Sequence, residues 1–132
     1  MIFVDSSFWI AQAMPRDGRY PDAARLTGRY DKARLLTSSL VLSETWTFLR
    51  RREGHQRAFA WLDRTRADVR IRMERVDEDV EERAWTWLRL HDERPYSFVD
   101  ATSFALMRKL RIREALAFDG DFAAAGFVEL RP

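Results

Sequence analysis

Four carboxylates occupy positions from which a chain can do chemistry: Asp5, Glu44, Asp100 and Asp119. Asp5 directly follows the apolar run Met1-Ile2-Phe3-Val4, and Asp119 directly follows Ala115-Leu116-Ala117-Phe118. A short apolar run that stops at an acid predicts a buried parallel strand with the acid at its C-terminal end. That edge is where open α/β sheets bind ligands. Glu44 falls on or beside the apolar face of Leu40, Val41, Thr45 and Phe48, where a charged group needs a partner. Asp100 sits near the start of a helical stretch, close to the positive end of its dipole. Gathered carboxylates repel one another, and their pKa values rise unless cations neutralise them. An oxygen-only donor set suits Mg²⁺ or Mn²⁺, which keep several waters and take phosphate oxygens as further ligands. Such a cation polarises a phosphodiester, activates water and stabilises the leaving oxygen. The chemistry to expect is hydrolysis of a nucleic-acid backbone.

The elements that must position these acids follow from hydrophobic period and punctuation. After the first strand, residues 8–13 predict a short helix with Ser6 or Ser7 as its cap, stopped by Pro15, Asp17 and Gly18. Pro21 opens a helix running to about Lys32, with Ala24, Leu26 and Tyr30 as apolar points, and 35–38 predicts a second strand. Ser39 is available to cap a helix that ends in Arg50-Arg51-Arg52-Glu53-Gly54, with positive charge at its negative pole. Residues 55–67 form another helix with Phe59, Ala60 and Leu62 inward. Residues 69–76 alternate Val69, Ile71 and Met73 with Arg70 and Arg72, the period of a strand. Asp77 caps a helix whose stripe is Val80, Ala84, Trp87 and Leu88, and Pro95 separates it from a helix over 97–107. Strands at 115–118 and 127–130 flank the turn Asp119-Gly120-Asp121. Helices between successive strands call for a three-layer α/β/α sandwich with a central, mostly parallel sheet. Asp5 and Asp119 share one edge of that sheet, and Glu44 and Asp100 join them if their helices start there.

The 132 residues, 46% of them hydrophobic, suffice for one domain spanning 1–132. Without cysteine there are no disulfides, thiolate metal sites or cysteine nucleophiles, which fits a reducing cytoplasm. No leader and no stretch apolar enough to span a bilayer is visible, so the expectation is a cytoplasmic protein without a membrane partner. The net charge of +2 is a weak pointer to nucleic acid; only Lys32 and Lys109 among the basic residues are lysines, and arginine's planar fork suits phosphate. Arg50, Arg51, Arg52, Arg57, Arg64 and Arg66 are candidates to line an RNA path or to meet an acidic segment of a protein partner, against the ordinary alternative of a solvated helix face. His55 and His91 lie near none of the acids, the serines lack a histidine partner, and the five glycines form no phosphate loop.

Four pieces of the chain resemble, in order and separation, the motifs of PIN-domain proteins, and specifically the VapC group of toxin ribonucleases. They are Ile2-Phe3-Val4-Asp5-Ser6-Ser7, Ser39-Leu40-Val41-Leu42-Ser43-Glu44, Phe98-Val99-Asp100-Ala101 and Ala117-Phe118-Asp119-Gly120-Asp121-Phe122. The resemblance implies a PIN-like fold and an Mg²⁺- or Mn²⁺-dependent endoribonuclease, the toxin of a toxin–antitoxin pair. It implies Asp5, Glu44, Asp100 and Asp119 as an acidic quartet, Ser6 as the hydroxyl residue that helps orient it, and Asp121 as an auxiliary acid. Which of Asp119 and Asp121 reaches the metal stays open. Ala117 departs from the Thr or Ser that the family often has there, which removes one supporting hydrogen bond. A homodimer and neutralisation by a small VapB-type antitoxin are further implications. Two alternatives stand beside this one. A catalytically silent PIN-like binding module is encouraged by Ala117. A receiver-type phospho-acceptor domain needs a lysine after a late strand, and neither lysine is placed there.

Overall fold

Three apolar residues with no polar alternation form β1 (Ile2–Val4), which is buried on both faces as the middle strand of a five-stranded sheet. The computed structural model describes residues 1–132. The chain continues through α1 (Ser6–Ala13), α2 (Tyr20–Arg29), β2 (Leu35–Ser38), α3 (Ser39–Glu53), α4 (His55–Ala67) and β3 (Ile71–Glu74). It ends with α5 (Glu78–Leu90), α6 (Phe98–Leu110), β4 (Glu114–Leu116), α7 (Asp121–Ala124) and β5 (Val128–Glu129). The order in the sheet is β3-β2-β1-β4-β5, and every pair is parallel. The expected succession of strands and helices is therefore observed, with a sheet that is wholly parallel.

From β1 the chain steps outward to β2 and β3, then returns past β1 to β4 and β5. Right-handed crossovers put connections running in opposite directions on opposite faces, so α1–α4 cover one face and α5–α7 the other. The reversal falls between β1 and β4, and the crevice beyond the C-terminal strand ends at that point is the ligand site of such sheets. Asp5 and Asp119 emerge there. An aromatic chain locks the two strands to the α5–α7 face: Phe3 stacks on Phe122 at 5.9 Å, and Phe104 meets Phe122 edge-on at 4.9 Å.

Several local expectations are corrected. Asp5, not Ser6 or Ser7, caps α1, and Ser38, not Ser39, caps α3. Both caps have the extended backbone that a strand end leaves behind, so the last strand residue or its successor takes the role. Ser39 Oγ instead accepts from Val76 N at 3.2 Å, tying the exit of β3 to the start of α3. The buried stripe of α4 is Ala58, Trp61 and Thr65; Phe59 is exposed and packs on Trp46 and His55. Trp61 wins the inward position because it fits against Trp9, 6.2 Å away. In α2 the inward alanine is Ala23 and not Ala24, and Val69, expected to alternate into the sheet, is 99% exposed ahead of β3.

Candidate active site

Asp5 is 1% exposed at the junction of β1 and α1. Its backbone N–H continues the sheet by donating to the Leu116 carbonyl at 3.0 Å, while its Oδ2 accepts from the backbone N–H of Ser7 at 3.1 Å. The Ser7 hydroxyl donates to the same oxygen at 2.7 Å and accepts from the Phe118 N–H at 3.1 Å. One hydroxyl thus joins the acid after β1 to the segment that leads from β4 to Asp119. The hydroxyl on the Asp5 carboxylate is that of Ser7; the sequence had pointed to Ser6. The other oxygen of Asp5, Oδ1, is buried with no hydrogen-bond partner. Burial pushes the Asp5 carboxyl up to about 7 against the pull of Ser7, and the charges of Asp119 and Asp100 add to the rise.

Asp100 is the third residue of α6 and forms a capping box with Ser97: each backbone N–H donates to the other's side chain at 2.9 Å. This fixes Oδ2 of Asp100 at the helix start. Burial, reinforced by Asp119 and Asp121, raises its carboxyl to about 6. Asp119 follows β4 and opens a turn in which its Oδ1 accepts from Asp121 N at 3.3 Å; burial raises its pKa as well. Carboxylate oxygens of Asp100, Asp119 and Asp121 lie within 4.8 Å of one another. Ala117, two residues before Asp119, is fully buried, and its backbone carbonyl accepts from Arg131 at 3.3 Å.

Glu44 is exposed on α3 beside the buried Thr45, while Val41, Leu42 and Thr45 turn inward, so it lies at the flank of the apolar face and not within it. It lines a hollow of about 440 Å³ between α3 and α6 together with Val99, the residue before Asp100. The structure therefore brings Asp100, Asp119 and Asp121 together and puts Asp5 within electrostatic reach of Asp100 and Asp119, while Glu44, expected as a fourth ligand, stays outside this cluster on the exposed flank of α3. Sequence reasoning missed Arg94, which comes from the α5–α6 loop and pairs with Asp121 at 2.9 Å. No spacing signal marks it, because a loop arginine acquires its partner only through the fold.

The donor set is all carboxylate oxygen, and one buried oxygen lacks any partner. Both observations fit a hard divalent cation, whose charge would offset the cost of ionising Asp5 and Asp100.

Comparison with known proteins agrees with this geometry. The model of the PIN domain family matches residues 2–128. The chain is 55% identical to a protein described as 23S rRNA-specific endonuclease VapC20 from two strains of Mycobacterium tuberculosis, with 100% of this chain and 99% of the relative covered. The crystal structure of M. tuberculosis VapC20, described as a sarcin–ricin loop cleaving toxin, superposes with a TM-score of 0.94 at 54% identity, covering 100% of both chains. The acids at the strand ends, the all-parallel sheet and these likenesses together place the chain in the PIN-domain family.

Proposed function

We propose that this protein is a divalent-cation-dependent endoribonuclease of the VapC toxin type, a single PIN domain that cuts 23S rRNA within the sarcin–ricin loop. The supporting observation is the partnerless buried Oδ1 of Asp5 beside three acids with oxygens within 4.8 Å, in a chain 55% identical to an rRNA-specific endonuclease. Asp5, Asp100 and Asp119 would hold the cation, Mg²⁺ or Mn²⁺, with Glu44 at the flank and Asp121 as the auxiliary acid. Bound there, it supplies Lewis acidity and lowers the pKa of water for attack on a phosphodiester. Ser7 keeps the Asp5 carboxylate turned to the site, and the capping box does the same for Asp100.

The charged surface near the site supports an RNA path. The Glu44 hollow also contains Phe48 and Arg51. Phe48 borders a second hollow of about 560 Å³ with Arg16, Arg52 and Arg57, and Arg52 lies 5.1 Å over the Phe48 ring. Arginines there suit phosphates and the aromatic face suits an unstacked base. Arg64 and Arg66 line other hollows, so the six arginines expected to form one path divide among different surfaces.

No helix is long and apolar enough to cross a membrane; the proposed rRNA substrate would be met in the cytoplasm. A VapB-type antitoxin and a homodimeric form complete the proposal. The receiver-type alternative lapses with membership of the PIN family. The test is incubation of ribosomes or isolated 23S rRNA with the protein in Mg²⁺, in Mn²⁺ and in EDTA, with the cut mapped by primer extension. One metal-dependent cut in the sarcin–ricin loop, absent in Asp100→Asn, is expected. Cleavage that survives EDTA, or persists in that variant, refutes the metal-site assignment; a metal-dependent cut elsewhere refutes the substrate.

A further inference from the structure

Arg94 belongs to none of the four motifs, yet it grips the segment that carries two of the acids. Its Nε donates to Oδ1 of Asp121 at 2.9 Å, and Nη2 lies 2.9 Å from that oxygen while donating to the Asp119 carbonyl at 3.4 Å. Gly120, at φ +83°, turns the chain so that its two neighbours meet one guanidinium, and a Cβ added there would touch Nη2 at 3.5 Å. The loop presenting Arg94 is itself fixed. Tyr96 N–H donates to the Arg94 carbonyl at 2.8 Å, and the Tyr96 ring packs edge-on against Trp87 at 4.8 Å and Phe104 at 5.7 Å.

The contact is asymmetric between the two acids. Asp121 is held through its carboxylate, whereas Asp119 is held only through its backbone carbonyl. A carboxylate engaged by a guanidinium has spent its charge on that pair, and its rotation is restricted. The Asp119 carboxylate, whose only hydrogen bond is from Asp121 N at 3.3 Å, keeps both. We propose that Arg94 is a positioning residue of the acidic site, holding Asp121 at its rim and leaving Asp119 as the acid after β4 that contacts the cation. This assignment rests on the nuclease function above. It answers which of the two neighbouring acids is the ligand, and it names the group that decides between them.

The test is calorimetric titration of Mn²⁺ into metal-free full-length protein, with RNA cleavage measured in parallel. Removing the Arg94 charge in Arg94→Gln should tighten Mn²⁺ binding about three- to tenfold, because a guanidinium in contact with the Asp121 carboxylate repels a divalent cation held by the neighbouring acids. A merely structural arginine gives the opposite sign, because loosening the site weakens binding. Cleavage at saturating Mn²⁺ should fall in the same variant, as Asp121 swings inward. Arg94→Lys, which keeps the charge, should return the affinity to within about twofold of wild type, and so should Arg94→Gln combined with Asp121→Asn. Asp119→Asn should weaken binding at least about tenfold, more than Asp121→Asn does. An unchanged or weaker affinity in Arg94→Gln overturns the proposal, as does an Asp121→Asn loss equal to that of Asp119→Asn, or a wild type that binds no Mn²⁺. A wild type that shows the expected order of affinities and cuts no RNA leaves the Arg94 assignment standing and removes the nuclease function.

Discussion

Replacing Asp5 by Asn should stabilise the metal-free protein while abolishing its chemistry. The Asp5 carboxyl is raised from 3.8 to about 7, mainly by burial. The folded state therefore holds this proton more tightly than the unfolded chain. Its contribution to stability is fully present below pH 4, is lost as the pH rises from there to 7, and stays lost above. At about 1.36 kcal/mol per unit, the carboxylate costs the fold about 4 kcal/mol at pH 8. The amide of Asn is a near-isostere of the neutral carboxyl and leaves a comparable atom unpartnered, so the variant and the wild type should be matched near pH 4. Urea unfolding in EDTA would measure the difference, expected to open to about 4 kcal/mol at pH 8, or about 2 M in midpoint for a slope of ~2 kcal/mol/M. Saturating Mn²⁺, at about a hundred times its Kd, should return about 2.7 kcal/mol to the wild type and nothing to Asp5→Asn. Parallel pH profiles of stability for the two proteins in EDTA would falsify the claim that Asp5 is a strained, cation-seeking carboxylate.

Other outcomes follow from the same geometry. Because protons compete with the cation for carboxyls raised to about 7 and about 6, Mn²⁺ affinity should fall steadily as the pH drops below 7, a trend that titrations at pH 5.5, 6.5 and 7.5 would check. Ser7→Ala should reduce RNA cleavage and cost about 1–2 kcal/mol of stability, since it orphans the Phe118 N–H and leaves Asp5 Oδ2 with only the backbone N–H of residue 7, whereas Ser6→Ala should leave cleavage unchanged and stability within about 0.5 kcal/mol. Phe104→Ala should cost about 3–5 kcal/mol in urea unfolding, because the ring is fully buried between Phe122, Phe127 and Trp87.

Much of the scaffold was legible because its strands are short apolar runs bounded by turn chemistry. Ile2-Phe3-Val4 and Ala115-Leu116 are buried on both faces, so they carry no alternation to misread, and the acids behind them mark the sheet edge. Four motifs spread over the chain were enough to point to the family. What stayed hidden depends on packing between distant elements. The phase of α4 was ambiguous because Phe59 and Trp61 are both large, and only the contact with Trp9 decides which turns inward. Two adjacent serines offer the same hydroxyl, and only the Phe118 N–H selects Ser7. Arg94 meets Asp121 across 27 positions of sequence, a pairing that no periodicity encodes.

The placement of β4 beside β1 also sets the order in which the site can form as the chain folds. Phe3 pairs with Ala115, and the Ser7 hydroxyl waits for the N–H of Phe118, 111 positions downstream. Such long-range closure cannot form early on a growing chain. The β1–β3 side of the sheet can pair within residues 2–74, but Asp5 and Asp119 meet only when β4 has joined β1, so the site is the last part of the sheet's centre to be completed.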